Sequence, residues 1–245
     1  MPSEETSDIF TLSSDFETAS VEEILRWAWR QFGPKIAATS SFQTQSVPLL
    51  HIMAKTVPDM PVFFLDTGFH FPETLQYRDL LIAEFGLNVQ VLTSEDGHEG
   101  FLHRHGDLYR TDPDRCCHLN KVEPLNRAMA SLRAWVSGIR RDQTAHRENA
   151  HIVSRERSGL YKVNPMATWT RRDVWKYIAD HHLPEHPLLA SGYTSVGCEP
   201  CTRPVLAGED ERSGRWAGQQ KTECGLHTAS IGAVDPNTNQ ETRHD

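Results

Sequence analysis

Long apolar runs are missing from this chain. The longest, such as Val62–Leu65, extend over only a few residues, whereas a membrane-spanning helix needs about 20. Positive charge is in short supply too, with 25 Lys and Arg against 33 Asp and Glu and a formal net charge of −8. The broad basic face of a nucleic-acid binder is therefore not expected. The opening MPSEETSDIF has neither the basic nor the apolar stretch of a secretory signal. The expected location is the cytoplasm, with neither membrane nor nucleic acid as a partner. Cysteine is absent before Cys116, and the five present are Cys116, Cys117, Cys198, Cys201 and Cys224. An odd count in a chain with no export signal fits metal or catalytic chemistry better than a disulfide framework. None is needed, since a single domain of 245 residues buries roughly three-quarters of its unfolded surface.

What is present reads as alternating strands and helices. Ser20 with Glu23 makes a capping box, followed by Val21, Ile24, Leu25 and Ala28 at helical spacing. Lys35–Ala38 and Val62–Leu65 are expected strands, the second apolar throughout, as a strand covered on both faces must be. Pro72 opens a predicted helix running to Phe85, with Gly86 as its stop. Leu87, Val89 and Val91 alternate with polar residues and predict a strand. A helix over Val122–Leu132, strands at Trp135–Ile139 and Leu160–Val163, and a helix from Thr170 to His181 complete the rhythm. It predicts an α/β fold whose mostly parallel sheet is flanked by helices. Ligands bind such sheets beyond the carboxyl ends of the strands, which nominates the loops Ser40–Ser46, Asp66–His70 and Gly138–Arg147. Beyond Gly197 the periodicity fades into a segment containing Gly, Arg and Cys.

The adjacent Cys116 and Cys117, with Cys198-Glu-Pro-Cys201, supply four thiols in two close pairs. Structural zinc takes ligand pairs separated by two to four residues, because both must reach one ion. Neighbouring cysteines suit a 4Fe–4S cluster better, since each can ligate a different iron. Buried reduced thiols, or a redox disulfide at the CxxC, are the plainer alternatives. Cys224 stands apart in KTECGLH, where Lys221 and His227 would favour a thiolate and Gly225 permits unusual backbone angles. An incidental exposed cysteine is the alternative there. Arg140, Arg141 and Arg147 in GIRRDQTAHR, and Arg212 and Arg215 in ERSGRW, carry forks that match phosphate or sulfate oxygens, although a charge cluster can equally be a solvated face. SSFQTQS lies between a strand and a helix, a natural anion position, but it lacks the glycines of a phosphate-cradling loop. The thirteen histidines, HEGFLHRHG among them, show no ligand spacing backed by a carboxylate and read as surface or loop residues.

The strings LDTGFHFPETL, CCHLNKVEPL, GIRRDQTAHR, HPLLASGYTSVGCEPCTRP and GRWAGQQKTECGLH occur in that order. Together they resemble the assimilatory adenylyl-sulfate and phosphoadenylyl-sulfate reductases, over roughly Val21–His227. The resemblance implies the adenine-nucleotide α-hydrolase-like fold. It implies that Cys116, Cys117, Cys198 and Cys201 ligate a 4Fe–4S cluster and that Cys224 is the nucleophile, forming an S-sulfo adduct that thioredoxin or a similar dithiol protein resolves. It assigns substrate contacts to Lys121, Arg147, Arg212, Arg215 and His227, places Ser40, Leu65 and Gly138 along the nucleotide pocket, and counts Arg140 and Arg141 of the arginine motif among the substrate-binding residues. Residues 1–19 are then a flexible arm, 20–228 a single catalytic domain with its catalytic tail, and 229–245 a disordered tail; homo-oligomerisation is left open. Two positions depart from the family pattern. SSFQTQS lacks the glycine and acidic residues common in cluster-bearing members, and Asn120 stands where an arginine more often precedes the lysine. The four cysteines point to adenylyl sulfate (APS), while the loop points to phosphoadenylyl sulfate (PAPS) or to dual use. An ATP-pyrophosphatase of the same fold would need a glycine-rich loop that SSFQTQS does not provide. A zinc-stabilised binding module would leave Cys224 and its flanking cations without a task.

Overall fold

The computed structural model describes residues 11–156, 158–219, 221 and 223–227. Six strands make one sheet: β1 (Ile36–Thr39), β2 (Val62–Leu65), β3 (Val89–Leu92), β4 (Ala134–Ser137), β5 (Val153–Arg155) and β6 (Tyr161–Val163). Their order is β3-β2-β1-β4-β6-β5. Every pairing is parallel except β5 with β6. Residues along the central strands alternate between two cores, as the pleat requires. Ile36, Ala38, Val62, Phe64, Ala134 and Val136 belong to the larger one. Ala37, Phe63, Leu65 and Trp135 belong to the smaller, on the opposite face. Both faces are therefore covered, which is why these strands are apolar throughout.

Helix α1 (Val21–Phe32) turns Val21, Ile24, Leu25, Ala28 and Phe32 inward, and its capping box forms as the sequence predicts. With α2 (Val47–Thr56), α3 (Pro72–Phe85) and the residues that α8 (Arg171–Asp180) buries, it builds the larger core. Gly86, at φ 65°, ends α3 in the left-handed region, where a β-carbon is penalised. The smaller core is closed by α7 (Glu123–Met129). Between β3 and α7 run α4 (Gly97–His105), α5 (Leu108–Thr111) and α6 (Pro113–Cys117). The sequence pattern did not predict these three, because they bury few apolar residues beyond Phe101 and the two cysteines. The antiparallel β5 was hidden for a similar reason: it is three residues long and only Val153 is buried.

Two features of the connections position the site. The chain steps outward from β1 to β3 and then returns to β4 on the other side of β1. That reversal opens a crevice at the carboxyl ends of β1 and β4, where α/β sheets bind ligands. The segment after Gly197 is stitched across this end by isolated bridges, His70 to Cys198 and Thr202 to Arg215. At the other terminus, residues 11–15 are helical and Phe16–Thr18 make a 3-10 turn. The buried Ser13 hydroxyl accepts from the backbone N–H groups of Ile152 at 3.1 Å and Val153 at 3.3 Å. The second half of the expected arm is thus docked by side-chain hydrogen bonds, which apolar periodicity does not register. Residues 1–10 and the expected tail over 229–245 lie outside the described residues. Among the described residues no helix is long and apolar enough to cross a membrane.

Candidate active site

The crevice is an open cleft at the carboxyl ends of β1 and β4, the position where such sheets bind ligands. The three nominated loops converge on it: Ser40, Ser41 and Gln43 after β1, His70 after β2, and Gly138, Gln143 and Arg147 after β4. Phe42 turns the first loop. Its φ of 50° is left-handed, and its ring is fully buried against Phe64, edge to face at 5.6 Å. Such strain in a non-glycine residue persists only where packing overrides it. The Gln43, Thr44 and Gln45 side chains bond outward, to the Val196 N–H, the His186 N–H and the Arg140 guanidinium. Ser40 accepts from the Phe42 N–H at 3.1 Å. The loop is held by its neighbours rather than by glycine turns.

Nine of the residues expected in the site line this one cleft: Ser40, Leu65, Lys121, Gly138, Arg147, Arg212, Arg215, Cys224 and His227. Lys121 rises from a π-helical turn over His118–Val122, a local widening common at functional sites. Burial works against its charge, but the sulfurs of Cys198, Cys117 and Cys224 around it favour the charged form and hold the ammonium above its ordinary range. Arg215 stacks 4.5 Å over the Trp216 ring and donates to the Val196 carbonyl at 3.2 Å. Its guanidinium lies against Gly197, where a β-carbon would come within 2.1 Å of Nη2. With a larger residue at position 197 the Arg215 guanidinium would have to move away.

Cys116, Cys117, Cys198 and Cys201 gather around a second pocket, walled by Thr67, Phe69, Tyr109, Pro113, Pro200 and Trp216. The bridge from His70 brings Cys198 in, and Trp216 donates its backbone N–H to the Cys201 carbonyl at 2.9 Å. Asn120 is buried, with its amide on the Cys116 carbonyl at 3.1 Å and within 3.7 Å of its sulfur. It serves the cysteine pocket and not the cleft. All five cysteines are free. Burial and the neighbouring thiols push Cys116 up to about 12 and Cys201 to about 11. Burial thus favours the thiol form at Cys116 and Cys201, whereas a bound metal would favour the thiolate. Among the described residues no three His, Cys, Asp or Glu side chains are arranged to hold one metal ion. Lys121, Cys198 and Trp216 line both pockets and form the wall between them.

The tail closes the cleft through several anchors. Lys221 pairs with Asp114 and lies 5.6 Å over the Trp216 ring. The buried Glu223 takes Arg147 Nη2 at 2.7 Å, and Leu226 packs on the smaller core. His227 stacks flat on Trp135, ring centres 5.6 Å apart and planes within 3°. Burial, with Arg147, Lys162 and Arg212 nearby, holds its imidazole neutral, well below the ordinary 6.5. Cys224 thereby faces the cleft on one side and, on the other, an outer hollow lined by Asp112, Asp114, His118 and Glu123.

Arg140 and Arg141 are placed differently, and neither is among the residues lining the cleft. Arg140 is fully buried, donating to Gln45 Oε1 at 2.8 Å and Asp142 Oδ1 at 3.0 Å. Arg141 grips both Glu17 oxygens at 2.8 and 2.7 Å and the Ala150 carbonyl at 2.8 Å. Sequence reasoning also passed over His70, Trp135, Trp216 and Glu223. Glu223 and His70 stood inside strings already singled out, ECGLH and DTGFH, but the reading there stopped at cysteines and cations.

A family profile described as the phosphoadenosine phosphosulfate reductase domain matches residues 35–204. The adenosine 5'-phosphosulfate reductase of Streptomyces coelicolor is 46% identical over 215 residues, covering 87% of this chain and 90% of that one. The phosphoadenosine 5'-phosphosulfate reductase of Gloeobacter violaceus is 44% identical over 221 residues, covering 88% and 92%. The crystal structure of the phosphoadenylyl-sulfate reductase of Candida auris, a phosphate complex, superposes with a TM-score of 0.71 at 30% identity, over 82% of this chain and 97% of that one. By the profile match and these identities, the chain belongs to the phosphoadenosine phosphosulfate reductase family.

Proposed function

We propose that this chain reduces adenylyl sulfate to sulfite and AMP through Cys224, drawing its electrons from thioredoxin or a similar dithiol protein in the cytoplasm. The observation that carries the reading is the position of Cys224 in one cleft with Lys121, Arg147, Arg212 and Arg215. A thiolate and a sulfate repel each other, so attack requires fixed cations at the place where they meet. The Cys224 thiolate attacks the sulfate sulfur; an S–S bond forms, the S–O bond to the phosphate breaks, and AMP leaves with its electron pair. A thiolate of the reductant then attacks Cys224 Sγ, sulfite departs with the electron pair, and the mixed disulfide is resolved by the second thiol. Two electrons pass from the dithiol to the sulfur, and Cys224 is regenerated.

Ser40, Leu65 and Gly138 are the backbone positions for the nucleotide, and His227 closes over it from the tail. The donor set of Cys116, Cys117, Cys198 and Cys201 suits a 4Fe–4S cluster, in which each thiolate takes a separate iron and the sulfurs need not converge on one point. When bound, the cluster supplies a fixed charge behind the Lys121 wall. Lys121 orients the sulfate from that wall, and the hydrogen bond of Asn120 at Cys116 steadies the pocket.

A second reading, PAPS as substrate, is favoured by the acid-free loop Ser40–Ser46 and by the similarity to the Gloeobacter enzyme. The test is the ratio of kcat/KM for the two nucleotides, measured as sulfite release with thioredoxin on anaerobic protein whose iron and sulfide have been assayed. The expected result is a preference for APS, with Lys121→Ala losing most activity at unchanged iron content. Parity or a PAPS preference moves the assignment to the second reading. No sulfite from either nucleotide overturns the function.

A further inference from the structure

Glu223 precedes the nucleophile and is itself buried, its side chain only 6% exposed. A carboxylate taken out of water is costly unless paired and hydrogen-bonded. Here the pairing is complete: Oε2 takes Arg147 Nη2 at 2.7 Å and faces Arg212 Nη2 at 3.5 Å, and Oε1 accepts from the Thr144 hydroxyl at 3.3 Å. Arg147 gives its other terminal nitrogen to Gln143 Oε1. Arg147 and Arg212, which the proposed function assigns to the sulfate, are therefore already engaged through Nη2 by a carboxylate from the chain. Adjacent residues are tied at a fixed 3.8 Å between α-carbons, so seating Glu223 seats Cys224.

We propose that Glu223 is a positioning residue, an internal anion that holds the place of the substrate on Arg147 and Arg212 and thereby keeps Cys224 in the cleft. The inference rests on the proposed function in taking this arginine pair as the anion site. Two consequences follow from sharing the same N–H groups. Closure of the tail and binding of a free anion compete, and by linkage each weakens the other by the same factor. For Cys224 to stay in the cleft the bound nucleotide must share these arginines with the carboxylate, so Glu223 also lowers apparent nucleotide affinity while raising turnover.

The test is the rate at which Cys224 reacts with iodoacetamide, read by peptide mass mapping on cluster-loaded, nucleotide-free protein at constant ionic strength. Inorganic sulfate is expected to speed alkylation of the wild-type protein, because it takes the arginines from Glu223 and loosens the tail. Glu223→Gln is expected to react about tenfold faster or more without sulfate, the scale of a lost charge-assisted contact, and to ignore sulfate. The same variant should show a lower KM for nucleotide and a lower kcat, with Glu223→Asp lying between it and the wild type. Sulfate that slows wild-type alkylation or leaves it unchanged overturns the inference, as does a Glu223→Gln protein that reacts at the wild-type rate. If that variant does not fold, the wild-type sulfate titration decides alone. Sulfite release by the same preparation separates the two claims. Sulfite without sulfate-sensitive alkylation removes only the role of Glu223, whereas no sulfite from either nucleotide removes the functional reading.

Discussion

At the scale of single residues, His186 ties the loop after β1 to the rest of the fold. Its Nδ1 accepts from the Leu188 N–H at 3.2 Å, so the proton resides on Nε2, which faces Thr74 Oγ1 at 3.0 Å. Its own backbone N–H donates to Thr44, in the loop after β1, at 3.0 Å. Burial pushes the imidazole from 6.5 down to about 4. Between those values the unfolded chain binds the proton and the folded chain does not, so stability rises with pH across that window. The contribution is complete above about 6.5 and is lost as pH falls toward 4, amounting to about 3 kcal/mol. Denaturant midpoints measured across this range should fall steeply for the wild-type protein. They should fall less for His186→Gln, which keeps one donor and one acceptor. Equal slopes would show that other groups set the acid limit.

At the scale of elements, the arginine loop after β4 divides its work. Arg147 enters the cleft, Arg140 braces the loop against Gln45 and Asp142, and Arg141 reaches back to Glu17. Arg140→Ala removes a buried guanidinium from a half-buried ion pair and from Gln45, and is expected to cost about 2 kcal/mol of stability. Arg141→Ala breaks a half-exposed pair worth about 1 kcal/mol or less. It should speed proteolysis of the segment around Glu17 while leaving kcat/KM for the nucleotide within about twofold. A loss of tenfold or more in Arg141→Ala would instead make Arg141 a substrate contact. This division was not legible in the sequence, because five donors on a fork look the same whether they meet a sulfate or Glu17. Elements that bury regular apolar positions were legible, α1 by its start at Ser20 and β2 with both of its ends. Elements held by polar bonds or by cysteines, namely residues 11–18, β5 and α4–α6, left no such pattern. The loops of the cleft were legible for a different reason: an α/β sheet puts its ligand beyond the carboxyl ends of its strands.

At the scale of the whole molecule, two sites share a wall. Lys121, Cys198 and Trp216 line both the cysteine pocket and the cleft, and the tail closes over both by way of Trp216, Trp135 and the arginine pair. Spacing alone grouped the cysteines, but the wall itself comes from long-range pairing, His70 with Cys198 and Thr202 with Arg215, which no local pattern encodes. The central claim is that Cys224 takes the sulfur from the nucleotide before any reductant acts. Its most direct test is a single turnover of anaerobic protein with adenylyl sulfate and no dithiol, followed by intact-mass and peptide analysis. The account predicts one AMP released per active chain and the added mass of one SO₃ group on the peptide bearing Cys224, removed as sulfite when thioredoxin is supplied, with Cys224→Ser giving neither. AMP release without the adduct, or an adduct on any other residue, would contradict it.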